Sequence, residues 1–157
     1  MNLNWNELLT SGSSSFFLVK TRPRDINIFS NDSEKNGVVS KLIRGENCTN
    51  SKELFKEFSS ALQFPYYFGN NWNAFDECIS DLYWIKSEKG YILFIINSES
   101  LLEKDLDIFL DTLKDASKFW RKKNKIFKVV FQTENKVNSK IEGAAEKREL
   151  PPFDETK

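Results

Sequence analysis

The sequence predicts an α/β fold, a small parallel β-sheet of three to four strands flanked by helices. Three observations carry that expectation. Residues 91–97 (YILFIIN) and 126–132 (IFKVVFQ) are continuous apolar runs, as strands covered on both faces require. The segments between the apolar runs repeat their hydrophobic residues with a helical period. Strand and helix alternate, which joins neighbouring parallel strands through helical crossovers.

The elements follow in chain order. Residues 15–20 (SFFLVK) and 37–44 (GVVSKLIR) read as the first two strands, and 21–36 as a poor helix between them. Residues 50–63 open on the cap residues Asn50 and Ser51 and gather Leu54, Phe55, Phe58, Ala61 and Leu62 on one face. Residues 71–84 (NWNAFDECISDLYW) form a second helix at 100° per residue. Trp72, Phe75, Cys78, Ile79 and Leu82 lie on one side, with Asn73, Asp76, Glu77, Ser80 and Asp81 on the other. Periodicity assigns Trp72 and Phe75 to the core and leaves Trp84 between core and rim. Residues 100–121 give a third helix with Leu102, Leu106, Phe109, Leu110, Leu113 and Ala116 inward. From Glu134 the chain turns polar. A short helix fits 137–149, and the closing ELPPFDETK reads as coil because Pro151–Pro152 blocks a helix. The expected organisation is an extension over 1–36 packed on the same domain, a core over 37–133, and a polar, partly disordered tail over 134–157.

Composition narrows the chemistry. A chain of 157 residues with 39% hydrophobic and 14% aromatic content suits one domain with one core. Net charge is zero, which argues against a dedicated nucleic-acid binder. The two signs are segregated, however: residues 46–115 hold 13 acids against 6 bases. Cys48 and Cys78 are too few for a disulfide framework, and Cys78 lies on an apolar helical face where a thiol acts as a small hydrophobe. The N-terminus lacks a signal-peptide pattern and no run suits a membrane span, so a cytoplasmic protein is expected. There is no histidine, the commonest general base and metal ligand. Two distant cysteines make no zinc site, and no two glycines lie close enough for a phosphate-cradling loop. The expectation is a protein without enzymatic activity, cofactor or metal.

The polar face of 71–84 is the candidate functional surface. No Lys or Arg occurs between Lys56 and Lys86, whereas solvated helix faces usually interleave both signs. Glu77 and Asp81, four residues apart, carry the same sign. The preceding FPYYFGNN supplies aromatics and a glycine, and rigid tyrosines give contact area at little entropic cost. Carboxylates at helical spacing can stand where a nucleic acid places phosphates, because Arg and Lys bind both groups. Such a face would block a nuclease by imitating its substrate.

At residues 64–84 (FPYYFGNNWNAFDECISDLYW) the chain resembles the barstar family of ribonuclease inhibitors. Tyr67, Gly69, Asn71, Trp72 and Ala74 fall in register on that family's F-P-x-Y-[FY]-G-x-N-[WL]-[DN]-A-[LF] pattern, and a looser likeness runs from about residue 37 to 132. The resemblance implies a barstar-like sheet and helices, no catalysis, and a one-to-one complex with a small basic ribonuclease or nuclease toxin. It places the family's key interface acid on Glu77, a second on Asn73, the interface tyrosine on Tyr67, and an acid of the later long helix on Asp115. Gly69, Asn71, Asp76, Ser80 and Asp81 complete the expected partner-binding set. This chain departs from the pattern in carrying Glu77 as the principal acid, Asn73 without charge, and Asp76 where the family's namesake has an aromatic residue. A competing patch, 118–128 (KFWRKKNKIFK), interleaves six bases with Phe119, Trp120 and Phe127. It reads either as a nucleic-acid contact or as cations at a helix C-terminus followed by a turn into the last strand. The second reading is the expectation.

Overall fold

A computed structural model describes residues 2–10 and 12–151. Its elements run α1 (Trp5–Leu9), β1 (Phe16–Lys20), α2 (Pro23–Asn31), β2 (Val39–Arg44), α3 (Ser51–Leu62), α4 (Trp72–Ile79), β3 (Gly90–Ile96), α5 (Leu106–Lys122), β4 (Ile126–Thr133), α6 (Ser139–Ala144) and β5 (Glu146–Arg148). One sheet takes the strands in the order β2-β3-β4-β1-β5, and every pairing is parallel. The α/β class is as the sequence predicts, but the described residues form five strands rather than three to four. The fifth escaped because its sequence is Glu-Lys-Arg: it pairs with β1 at the sheet edge and has no apolar run to announce it.

The apolar runs sit where continuous hydrophobicity is needed. Every residue of β4 is buried, as are the first six of β3. On one face, α3, α4 and α5 cover the sheet with Phe55, Phe58, Phe75 and Phe109. On the other, α1 and α2 bring Leu8, Ile26 and Phe29 against Phe17, Val19 and Phe94. Close strand approach explains Gly90. Its φ of +133° suits glycine, and a Cβ there would lie 2.1 Å from the Ile126 carbonyl oxygen.

Helix starts are chosen by asparagine. Asn4, Asn50, Asn71 and Asn138 each cap a helix by accepting from backbone N–H groups of its first turn. The span 21–36 is better ordered than its sequence suggests, because Pro23 opens α2 at a first-turn position that loses no hydrogen bond. α1 was not foreseen, being too short for periodicity. The third predicted helix starts at Leu106, not at residue 100. Asp105 takes a left-handed conformation there, and Leu101 and Leu102 are buried ahead of it. In the tail, α6 is shorter than the predicted 137–149 because β5 begins at Glu146. Of the coil predicted over 149–157, Glu149 bridges Asn2, and the part from residue 152 onward lies outside the described residues. No helix among the described residues is long and apolar enough to cross a membrane.

Candidate functional site

The site begins where α3 stops. Gln63 adopts a left-handed conformation at its C-cap, and Phe64 and Phe68 then pack their buried rings 4.9 Å apart. These two anchors force the residues between them outward. The Phe68 N–H donates to the Pro65 carbonyl at 2.9 Å, closing a turn that leaves Tyr66 wholly exposed and Tyr67 largely so. Asn71 then accepts from the Ala74 N–H at 2.8 Å, and its amide donates to the Gly69 carbonyl at 3.3 Å. Gly69 keeps this cap compact, since a Cβ there would sit 3.1 Å from the Asn71 amide nitrogen. Asn71→Ala is therefore expected to cost about 1 kcal/mol. Thermal unfolding would show this as a fall in Tm of about 2–4 °C. An unchanged Tm would mean that the cap contributes nothing to α4.

The far end of α4 departs from the sequence reading. The helix ends at Ile79, not Trp84, because Leu82 turns left-handed (φ 47°) and its N–H closes on the Cys78 carbonyl. Two indoles fix this end. Trp120 Nε1 on α5 donates to the Ile79 carbonyl at 2.9 Å, and Trp84 Nε1 donates to the Leu62 carbonyl at 2.8 Å. Orphan carbonyls at the ends of α4 and α3 thus find partners. Trp84 is half-buried, with its ring on the core and its N–H in use. Ser80 is the C-cap and half-buried, and Asp81 stands in the turn beyond it.

The outward face gathers most of the expected residues. Asn73, Asp76 and Glu77 are exposed on α4, and Asp115 is exposed on the neighbouring α5. Partial burial holds the Asp76 carboxyl above its ordinary value, and the charges of Asp115 and Glu77 add to this. Two helices therefore present one acidic cluster. Among the described residues, Asp76, Glu77, Asp81 and Asp115 have no ion-pair partner. The neighbouring Tyr83 hydroxyl, with desolvation and the nearby Asp81 charge, pushes the Tyr67 phenol up to about 12. It stays protonated as a donor at neutral pH. The sequence reading missed Tyr83 because it was placed inside a helix; its position off the apolar side of that helix was the available signal. Beneath the face, burial and the Asp81 and Glu77 charges raise the Cys78 thiol, while burial pushes Cys48 up to about 12. Both are free, buried and unreactive thiols.

No cluster among the described residues could hold a metal ion. The 118–128 patch divides as expected: Arg121 and Lys122 lie in the last turn of α5, and β4 begins at Ile126. Trp120, Phe127 and Lys128 are buried, which removes them from any stacking platform.

Comparison with known proteins gives one family. The family model described as Barstar (barnase inhibitor) matches residues 39–132. No curated protein matches the chain. Among solved structures, the Aeropyrum pernix ORC2 protein in ADPNP-ADP complexes resembles it with a TM-score of 0.54 at 12% identity, over 94% of this chain and 45% of that one. Drosophila ORC bound to AT-rich DNA and Cdc6 gives 0.48 at 12% identity, over 97% of this chain and 55% of that one. The chain thus spans about half the length of either structure, and its likeness to the first is one of fold.

Proposed function

The chain belongs to the barstar family, and we propose that it inhibits a small basic ribonuclease, or a nuclease toxin, as an immunity-type partner in a one-to-one complex. The 65–71 loop, α4 and the 80–83 turn enter the nuclease's active site, with Asp115 at the flank. The observation that carries this reading is the acidic cluster without cations of its own. Asp76, Glu77, Asp81 and Asp115 are available to the Arg and Lys that would otherwise hold RNA phosphates. Tyr67, Gly69, Asn71, Asn73 and Ser80 supply the neutral part of the contact. Tyr67 donates a phenolic hydrogen bond, and Asn73 offers both a donor and an acceptor where the family has an acid.

The test is direct. Immobilised chain retains a basic ribonuclease from a lysate of the source cells, and one equivalent in solution abolishes its cleavage of RNA. The Asn73/Asp76/Glu77 triple alanine variant does neither. Equal inhibition by that variant would place the interface elsewhere, and no inhibition by the wild type would end the reading.

Proton linkage supplies a further expected result. In the free chain, partial burial and then repulsion from Asp115 and Glu77 favour the protonated Asp76 carboxyl. A cationic partner favours the carboxylate and lowers that value. Complex formation therefore releases protons, and affinity falls as the pH drops through the raised Asp76 value. Calorimetry in buffers of different ionisation enthalpy measures the release, which Asp76→Asn reduces. Equal release by wild type and Asp76→Asn would assign it to another group.

A further inference from the structure

On α5, Lys114, Lys118 and Arg121 recur at intervals of four and three and so share one face. That face borders a cavity of about 310 Å³ whose lining includes these three cations, Ser14, Ser15 and the end of α6 at Gly143–Ala144. The helix dipole accounts for cations only in the last turn, and Lys114 lies two turns before the end of α5. Among the described residues, none of the three has an ion-pair partner.

A fourth cation contacts the serine segment without lining the cavity. Lys128 is buried on β4, and its ammonium donates to the carbonyls of Ser13 at 3.0 Å and Ser14 at 2.9 Å and to the Ser13 hydroxyl at 2.9 Å. All three acceptors are neutral. Burial first, and then the Arg121 charge, depress the Lys128 ammonium to about 8, against a small opposing effect of Glu146. Ser15 hydrogen-bonds the buried Ser117 and accepts from Arg121 Nη2 at 3.5 Å, and the Ser14 hydroxyl donates to the Phe16 carbonyl at 3.2 Å, so the serine segment forms a fixed polar rim.

We propose that this cavity binds a small phosphate-bearing anion, with Lys114, Lys118 and Arg121 as its cations and Ser14 and Ser15 as its polar rim. The volume lies at the lower end of ligand pockets and suits pyrophosphate or a compact phosphomonoester. Phe16, the aromatic ring in the lining, is buried and offers no face to a nucleobase, which favours a small ligand over a strand of RNA.

The experiment titrates the full chain with sodium pyrophosphate in a calorimeter at low ionic strength. A short single-stranded RNA and sodium chloride at matched ionic strength run in parallel. Pyrophosphate should bind saturably at one site. Lys118→Ala and Arg121→Ala should each weaken it roughly tenfold, the loss of one charge-assisted contact. A Lys114→Gln/Lys118→Gln/Arg121→Gln chain, checked by thermal melting, should not bind. Glu77→Ala should bind normally, which separates this site from the acidic face. NMR titration should show the Lys128 ammonium value rising with ligand. No saturable pyrophosphate heat in the wild type, or unchanged binding by the triple variant, overturns the proposal. So does binding of RNA alone, which would make the source a polymer rather than a small anion.

Discussion

Glu77→Ala is expected to weaken the complex with the target ribonuclease by roughly 3–5 kcal/mol, or about two to three and a half decades in Kd. The size follows from what is left behind. The partner's cations would be drawn out of water by the surrounding contact, and removing one carboxylate leaves them unpaired there. Glu77 is exposed on α4, so the fold does not depend on it. Its helix keeps the Asn71 cap and the bond from Trp120. A stopped-flow comparison should find most of the change in the dissociation rate, with a smaller, salt-dependent change in association. Glu77→Asp tests reach and should fall between wild type and alanine. A Kd for Glu77→Ala within threefold of wild type would remove this residue from the centre of the interface.

Phe75→Ala is expected to produce the largest loss of stability near the site, about 3–5 kcal/mol. Phe75 is fully buried, and its ring lies 5.0 Å from Phe58, 5.7 Å from Trp72, 5.9 Å from Phe55, 6.0 Å from Phe64 and 6.2 Å from Phe109. It therefore ties α3, the 64–68 loop and α5 to α4. Truncation leaves a cavity lined by rigid rings that cannot collapse into it. Thermal unfolding should show Tm lowered by roughly 6–20 °C, while Phe75→Leu should lose much less. Inhibition measured well below the new Tm should survive, because the exposed acids are untouched. A drop under about 1 kcal/mol would mean that the aromatic cluster repacks around the gap.

These two residues lie two positions apart on opposite sides of α4, and the buried place of one and the exposed place of the other were both legible in the sequence. Phe75 announced itself by periodicity and Glu77 by the absence of neighbouring cations. The central strands were equally plain, because β3 and β4 are buried on both faces and their sequences are apolar throughout. Other features depended on information that one-dimensional patterning does not hold. β5 is polar and becomes a strand only through β1 beside it. α4 keeps its apolar period through Leu82, yet stops at Ile79 because Leu82 turns left-handed and side chains from α5 and the following turn take up the ends of the helices. Asp115 entered only through the family resemblance, and the packing of α5 against α4 sets it where its charge acts on Asp76. The basic pocket joins residues 14 and 15 to 114–121, a pairing invisible to any local window.

The strand order has a consequence for biosynthesis. β1 is the first strand made, and its neighbours in the sheet, β4 and β5, are the last two. As the nascent chain lengthens, Phe16, Phe17, Leu18 and Val19 have no strand to pair with until residues 126–133 leave the ribosome. Contacts so distant in sequence raise the contact order and slow the search for the native state. They also leave an apolar edge open to aggregation meanwhile. β2, α3, α4 and β3 can assemble earlier, since they are contiguous in the chain. Three carboxylates of the acidic face, Asp76, Glu77 and Asp81, can thus be set in place while the sheet beneath them still lacks β4, its middle strand.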